Sequence, residues 1–335
     1  MAIAGMDGFS FGKVVNKIIY HYILKNMKKT LAIALFLISA VTYGQQDPLY
    51  TQYMYDKLEL NPAYAGSQEL FAMDMLTRIQ WVGIQGAPRT TSFTAHTPLK
   101  NPHIGLGFEA IRDELGPSVD YGVMGSFAYR VIFPTTKLCF GVAAGIKYAD
   151  IDWSALDPKD GNDFELNNQV KNKVVPDVDF GIYYYGSQFY VGVSSKHLLQ
   201  NQMIVASTSP TDTKNSYTKL LRHFYGMAGG VFPLGDNVMF MPSILCKYVE
   251  NAPFQVDLNA SFMIYNVLTL GAFYRTAAAV GLLAEVNITK NLTFGYSYDI
   301  WFNSLQQYNK GSHEIHLGCY FDLFDRNRML TPRYF

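Results

Sequence analysis

The stretch LCFGVAAGIKY, residues 138–148, alternates with a period of two. Leu138, Phe140, Val142, Ala144, Ile146 and Tyr148 fall on one face, and Cys139, Gly141, Ala143, Gly145 and Lys147 on the other. Successive side chains of a strand point to opposite faces, so this stretch has one greasy face and one small or polar face. Residues 292–300, LTFGYSYDI, and 256–264 split the same way. About fourteen such runs follow one another, near 71–82, 90–97, 103–112, 119–132, 137–149, 178–185, 188–196, 221–232, 237–249, 255–264, 268–276, 279–288, 292–300 and 313–322. Most are long enough for a tilted strand to cross a bilayer, which takes roughly 9–11 residues.

A soluble antiparallel sandwich would also alternate, so the connections have to decide. After even-numbered runs they are short: FPTTK, YGSQ, PLGDN, YNV and residues 289–291. After odd-numbered runs several are long, notably 150–177, 197–220 and 301–312. Short turns on one rim and long loops on the other are the pattern of an outer-membrane barrel. The fold expected is therefore all-β, a transmembrane antiparallel β-barrel of about fourteen strands at residues 71–322, with both termini periplasmic because the strand count is even. That topology sends Trp81, Tyr274 and Trp301 toward the extracellular rim. It sends Tyr183–Tyr185, Phe189, Tyr190, Tyr265 and Phe321 toward the periplasmic one, as two interfacial belts.

Residues 28–44, KKTLAIALFLISAVTYG, supply two lysines, an apolar run and small residues near the end. This is a secretory leader, too short to remain as a membrane helix. Met27 is the expected initiator, which makes 1–26 an over-called start or an extended n-region, 27–44 the leader, and Gln45 the approximate mature N-terminus. The mature chain is thereby expected in the cell outer membrane, with 323–335 as a periplasmic tail. Net charge is zero and only 16% of residues are charged, so no nucleic-acid footprint exists. Cys139, Cys246 and Cys319 are too scattered for a disulfide framework or a zinc site.

Catalytic patterns are wanting, and neither a cofactor nor a metal is expected. HEIH at 313–316 lacks the HExxH spacing, and a strand points His313 away from Glu314 and His316. Ser92 and His96 share a face, but four residues of strand place them roughly 13 Å apart, too far for the base to activate the hydroxyl. DPKDGNDFE at 157–165 departs from a calcium loop in both spacing and closing residue.

The segment QQDPLYTQYMYDKLELNPAYAG, 45–66, has neither a helical face nor strict alternation. Its Tyr50, Tyr53, Met54, Tyr55, Leu58 and Tyr64, with Phe71 just beyond, would form an unfavourable apolar patch in water. It is expected to lie at the periplasmic rim or fold up into the lumen, over residues 45–70. There it serves either as a plug whose tyrosines meet lumenal polar groups or as a docking segment for a partner. The partner-binding candidates are Tyr50, Tyr53, Tyr55, Asn61, Pro62 and Tyr64, the Asn61-Pro62 turn fixing how the segment leaves the barrel.

LNPAYAG (60–66), LGFEAIRDELGP (106–117), AYR (128–130), MPSILCKY (241–248), VDLNASF (256–262), FGYSYD (294–299) and GSHEIHLG (311–318) together resemble the PorP/SprF family of type IX secretion system outer-membrane proteins. The resemblance runs from about residue 46 to the C-terminus. It implies a barrel without enzymatic activity, serving protein secretion and gliding motility, that helps export or retain at the surface large adhesin-like cargo with a C-terminal targeting domain. Implied partners are that cargo, other secretion or periplasmic peptidoglycan-linked components, and outer-membrane lipid. A channel or hydrophobic-solute transporter remains the other reading. The lumen-facing charges Glu109, Asp120, Arg130, Lys147, Asp257, Arg275, Glu285, Asp299 and Glu314, of both signs, suit a braced wall as well as a water-filled pore.

Overall fold

The structure, a computed structural model, describes residues 47–152, 174–207, 215–276, 278–302 and 304–323. The expectations placed on 1–26, 27–44, 157–165 and 324–335 lie outside these residues.

Alternating runs become strands because a closed barrel is the one sheet that leaves no backbone edge unpaired in hydrocarbon. In chain order the strands are β1 (Phe71–Ile79), β2 (Arg89–Pro98), β3 (Ile104–Leu115), β4 (Ser118–Ile132), β5 (Thr136–Ile151), β6 (Val174–Gly186), β7 (Phe189–Lys196), β8 (Gln202–Ser207), β9 (Asn215–Lys219), β10 (His223–Gly230), β11 (Phe232–Pro233), β12 (Val238–Val249), β13 (Gln255–Ile264), β14 (Leu268–Arg275), β15 (Ala279–Asn287), β16 (Leu292–Trp301) and β17 (Ser312–Phe321). β8 and β9 pair only with each other, and β11 is a two-residue stub against β12. The other fourteen form an antiparallel barrel, each hydrogen-bonded to its neighbours in sequence. β10 pairs directly with β12, from His223 opposite Val249 to Gly229 opposite Ser243. The seam is β1 against β17, in register from Phe71 opposite Phe321 to Ile79 opposite His313.

The polarity is inside out relative to a soluble protein. On β5, Phe140, Val142 and Ile146 face outward and are exposed, whereas Cys139 and Ala143 are buried. On β1 the buried face carries Ala72, Asp74, Leu76 and Arg78. An apolar outer wall around a polar interior is stable when lipid, not water, surrounds it. All nine charged residues expected to face the lumen do so, on the same strand faces as the buried positions.

The rims differ as the connections require. The short-turn rim carries residues 133–135, 187–188, 265–267 and 288–291, and the other rim carries the end of β5 at Ile151, the start of β6 at Val174 and residues 197–201 and 220–222. β17 ends at Phe321 on the short-turn rim. The N-terminal side differs from the expected entry at that rim. Asp47, the first described residue, lies among Lys147, His197, His223 and Lys247, which sit toward the long-loop ends of their strands. From there the chain descends through the lumen to Phe71.

One aromatic assignment needs correction. Tyr183, Tyr185 and Tyr190 are lumenal, between 0% and 3% exposed, and do not belong to a lipid-facing belt. Their strand parity points them inward, where they pack around Tyr64 of the N-terminal segment: Tyr64 meets Tyr183 edge-on at 5.4 Å. The opposite rim does gather Trp81 and Trp301, edge to face at 5.6 Å, with the Trp301 indole N–H donating to Ser312 Oγ at 2.7 Å.

Val142 lies mid-strand on the outward face. Val142→Arg is expected to cost about 2–4 kcal/mol of barrel stability, as an arginine does near the bilayer midplane. Val142→Leu is expected to be neutral. Denaturant titration in lipid vesicles, read by the gel shift between unheated and heated protein, measures both.

Candidate functional site

Residues 47–70 fill much of the lumen. Their local shape follows from their sequence. Asn61 is extended (φ −148°), and its side chain accepts from the Ala63 N–H at 2.9 Å, capping a single 3-10 turn at Pro62–Tyr64. Pro62 opens the turn, where its fixed φ is an advantage and its missing N–H is no loss. The Asn61 amide then donates to the carbonyls of Ile182 at 3.0 Å and Val193 at 3.3 Å, tying the turn to β6 and β7. Two glycines make this approach possible. A Cβ at Gly141 would stand 2.1 Å from Ala63 N, and one at Gly181 would stand 2.0 Å from Asn61 Oδ1.

Above that turn, charge holds the segment to the barrel seam. Arg78 of β1 donates to Asp299 of β16 at 2.5 Å and to Glu314 of β17 at 2.8 Å, and all three side chains are fully buried. Glu314 in turn receives the backbone N–H groups of Thr51 at 2.9 Å and Gln52 at 2.7 Å, while the Thr51 hydroxyl donates to Asp299 at 2.8 Å. Similar braces recur around the wall. Arg275 grips Asp257, and Lys196 donates to the Glu59 carbonyl at 2.8 Å while lying 3.4 Å from Glu109. Further down, Thr94 donates to Asp56 at 2.9 Å, and the Gly66 N–H donates to His96 Nδ1 at 3.2 Å.

The upper end of the segment is held by cations. Asp47 Oδ2 lies 2.7 Å from His197 Nε2, and its other oxygen lies 3.8 Å from Lys147. Its N–H donates to His223 Nε2, and its carbonyl accepts from Lys247 at 2.8 Å. Burial works against charge on Asp47, but His197 and Lys147 outweigh it and hold the carboxyl well below its usual range. Asp47, His197 and His223 bring ligand atoms within 4.8 Å of one another, as do Asp177, Asp179 and His197. Two ammonium groups already occupy the neighbourhood of the first set, so its negative charge is neutralised by protein rather than left for a metal ion. The notion that HEIH cannot gather around one ion has a direct counterpart. His313 hydrogen-bonds the Tyr296 hydroxyl on the outer face, whereas Glu314 and His316 are buried inside.

All six partner-binding candidates lie within the lumen. Tyr50, Tyr53, Asn61, Pro62 and Tyr64 are buried, and Tyr55 is half-buried. The Tyr53 hydroxyl bonds Ser243 Oγ at 2.9 Å, and Tyr55 stacks on His316 at 5.5 Å. The Tyr50 carbonyl accepts from Arg275 at 3.4 Å. Sequence reasoning passed over Arg78, Asp74, Lys196 and His197. Asp74 and Arg78 share parity with Ala72 and Leu76, and that parity was the available signal. Asp47–His197, 150 residues apart, had none.

Beside this segment the lumen keeps a cavity of about 820 Å³, walled by Met54, Tyr55, Met239, Met241 and Met263 and reaching the turns at Val267 and Lys290 on the short-turn rim.

The family model described as type IX secretion system membrane protein PorP/SprF matches residues 42–319. No curated protein matches the chain. Among solved structures, the chain is similar to the Acinetobacter baumannii outer membrane protein Omp33, at 11% identity over 76% of this chain and 99% of that one, with a TM-score of 0.41. It is also similar to the CymD monoaromatic hydrocarbon channel, at 12% identity over 83% and 95%, with a TM-score of 0.49.

Arg78→Met leaves Asp299 and Glu314 buried without their cation and is expected to destabilise the barrel by about 3–5 kcal/mol. Adding Asp299→Asn and Glu314→Gln removes the orphaned charges and is expected to recover part of that loss. The urea midpoint of the folded, gel-shifted form reports each step.

Proposed function

This chain belongs to the PorP/SprF family of type IX secretion system membrane proteins, and we propose that it acts in the outer membrane as the barrel that helps export, or retain at the surface, large adhesin-like proteins carrying a C-terminal targeting domain. In this reading the short-turn rim faces the periplasm and meets other secretion or peptidoglycan-linked components. The long-loop rim faces outward, and the role is one of binding and holding rather than of chemistry. Gliding motility is the process such adhesins would serve.

The observation that carries the reading against a diffusion channel is the filled lumen. A water-filled pore lines its wall with charges that face solvent. Here Arg78, Asp299, Glu314, Arg275 and Asp257 are each 3% exposed or less and are matched to one another and to the segment at 47–70. A lumen so occupied supports a role exercised at the rims. The remaining cavity keeps one feature of the transporter alternative, since apolar solute would find room there.

Deleting the gene is expected to abolish surface display of one or a few large adhesin-like proteins while leaving general outer-membrane permeability intact. Surface proteomics with a dye-exclusion assay on the same cells reads both. Reduced solute uptake with normal surface display would hand the function to the transporter reading.

A further inference from the structure

The cavity beside the N-terminal segment does not match the rest of the lumen. At the seam and the long-loop end the inner wall is charged and paired, whereas here four methionines face one space: Met54 from the segment, Met239 and Met241 from β12, and Met263 from β13. Met239 stands opposite Met263 in the β12–β13 register. Thioether chains are flexible and polarizable, and they line surfaces that accept apolar groups of variable shape. At about 820 Å³ the space falls within the size range of small-molecule sites, roughly 300–1,000 Å³.

Its polar groups narrow the ligand class. Asn259 is 5% exposed, and its Oδ1 accepts from Ser261, but its Nδ2 has no protein acceptor. A buried amide donor left open is costly unless something accepts from it. The charged groups deep in the wall are engaged, Lys57 donating to the Met54 carbonyl and lying over the rings of Tyr64 and Tyr190 and Glu285 pairing with His316 at 3.4 Å, whereas Lys290 stands exposed at the mouth. A net ion therefore gains little here. A peptide would bring two backbone groups per residue into a wall with few free partners, and the closed barrel offers it no strand edge. An aliphatic chain with a single carbonyl fits both the apolar walls and the open Asn259 amide donor.

We propose that this cavity is a binding site for an acyl chain bearing an ester or amide carbonyl, entered from the short-turn rim between Val267 and Lys290, with Asn259 donating to the carbonyl and the four methionines enclosing the chain. Such a chain has two sources, a membrane phospholipid or a free acyl ester. The site goes beyond the secretion role and does not depend on it.

Photolabelling tests the proposal. The full-length protein is moved from detergent into amphipol, so that detergent alkyl chains do not compete, and is exposed to diazirine-bearing methyl palmitate. A parallel sample is placed in nanodiscs containing a phosphatidylethanolamine with the same diazirine chain. Mass spectrometry is expected to place labels on the inward residues of β12 and β13, in the first arm for a free ester and in the second for a membrane lipid. Excess unlabelled methyl palmitate should suppress them. Met241→Trp, which fills the space, should cut inward labelling at least tenfold, and Asn259→Leu should cut it about fivefold, the worth of one hydrogen bond. The outward-facing Leu270→Trp should leave it unchanged. Each variant is compared only as its gel-shifted, folded form. Labels confined to outward residues in both arms would overturn the proposal, as would inward labels that excess unlabelled ester does not displace.

Discussion

One buried guanidinium ties the barrel to its contents. Arg78 stands opposite Glu314 across the seam where the first and last barrel strands meet, and it reaches Asp299 on the next strand. A buried cation with two carboxylates is tolerable only if the remaining lone pairs are met. The amides of Thr51 and Gln52 meet both oxygens of Glu314, and the Thr51 hydroxyl meets Oδ2 of Asp299, while Asp299 Oδ1 and Arg78 Nε stay without a partner among the described residues. Closing the seam and seating the N-terminal segment are therefore one requirement. Without the segment, Glu314 loses two donors in a place water would have to enter. Without the seam, the segment loses its upper anchor.

The rest of the lumen repeats that dependence with other chemistry. The 3-10 turn at Pro62–Tyr64 sits where β5 and β6 carry glycine, close enough that a methyl group at either position would overlap it. Tyr64 completes a ring cluster with Tyr183 and His96. Lys57 finds aromatic faces in place of a carboxylate. What remains open is the methionine-lined cavity, on the side where the segment's Met54 and Tyr55 form part of the wall. The segment thus does not merely block the barrel; it builds part of the wall of the methionine-lined space inside it.

Much of the fold was legible because a lipid-facing strand constrains every second residue. The alternation in 137–149 located β5 and assigned its faces, and the spacing of turns ordered all fourteen barrel strands. The same parity misled where it was not applied. Tyr183, Tyr185 and Tyr190 were grouped by their position along the chain, yet Tyr183 and Tyr185 share the odd parity of Asp177 and Asp179 on the inner face of β6, and Tyr190 shares the even parity of Ser194 and Lys196 on the inner face of β7. The segment at 45–66 was legible as something that must be buried, from its tyrosines. Its path from the long-loop end downward was not, because it depends on pairings such as Asp47 with His197 and Thr51 with Glu314 that no local pattern encodes.

The central claim is that residues 47–70 occupy the lumen as part of the folded wall. Single-channel conductance in planar bilayers tests it most directly, comparing the full-length mature protein with one lacking residues 47–68. The account predicts a full-length protein with no steady open state and a shortened one that conducts persistently or is too unstable to keep its gel-shifted form. A full-length protein that conducts as strongly as the shortened one, both equally stable, would contradict it.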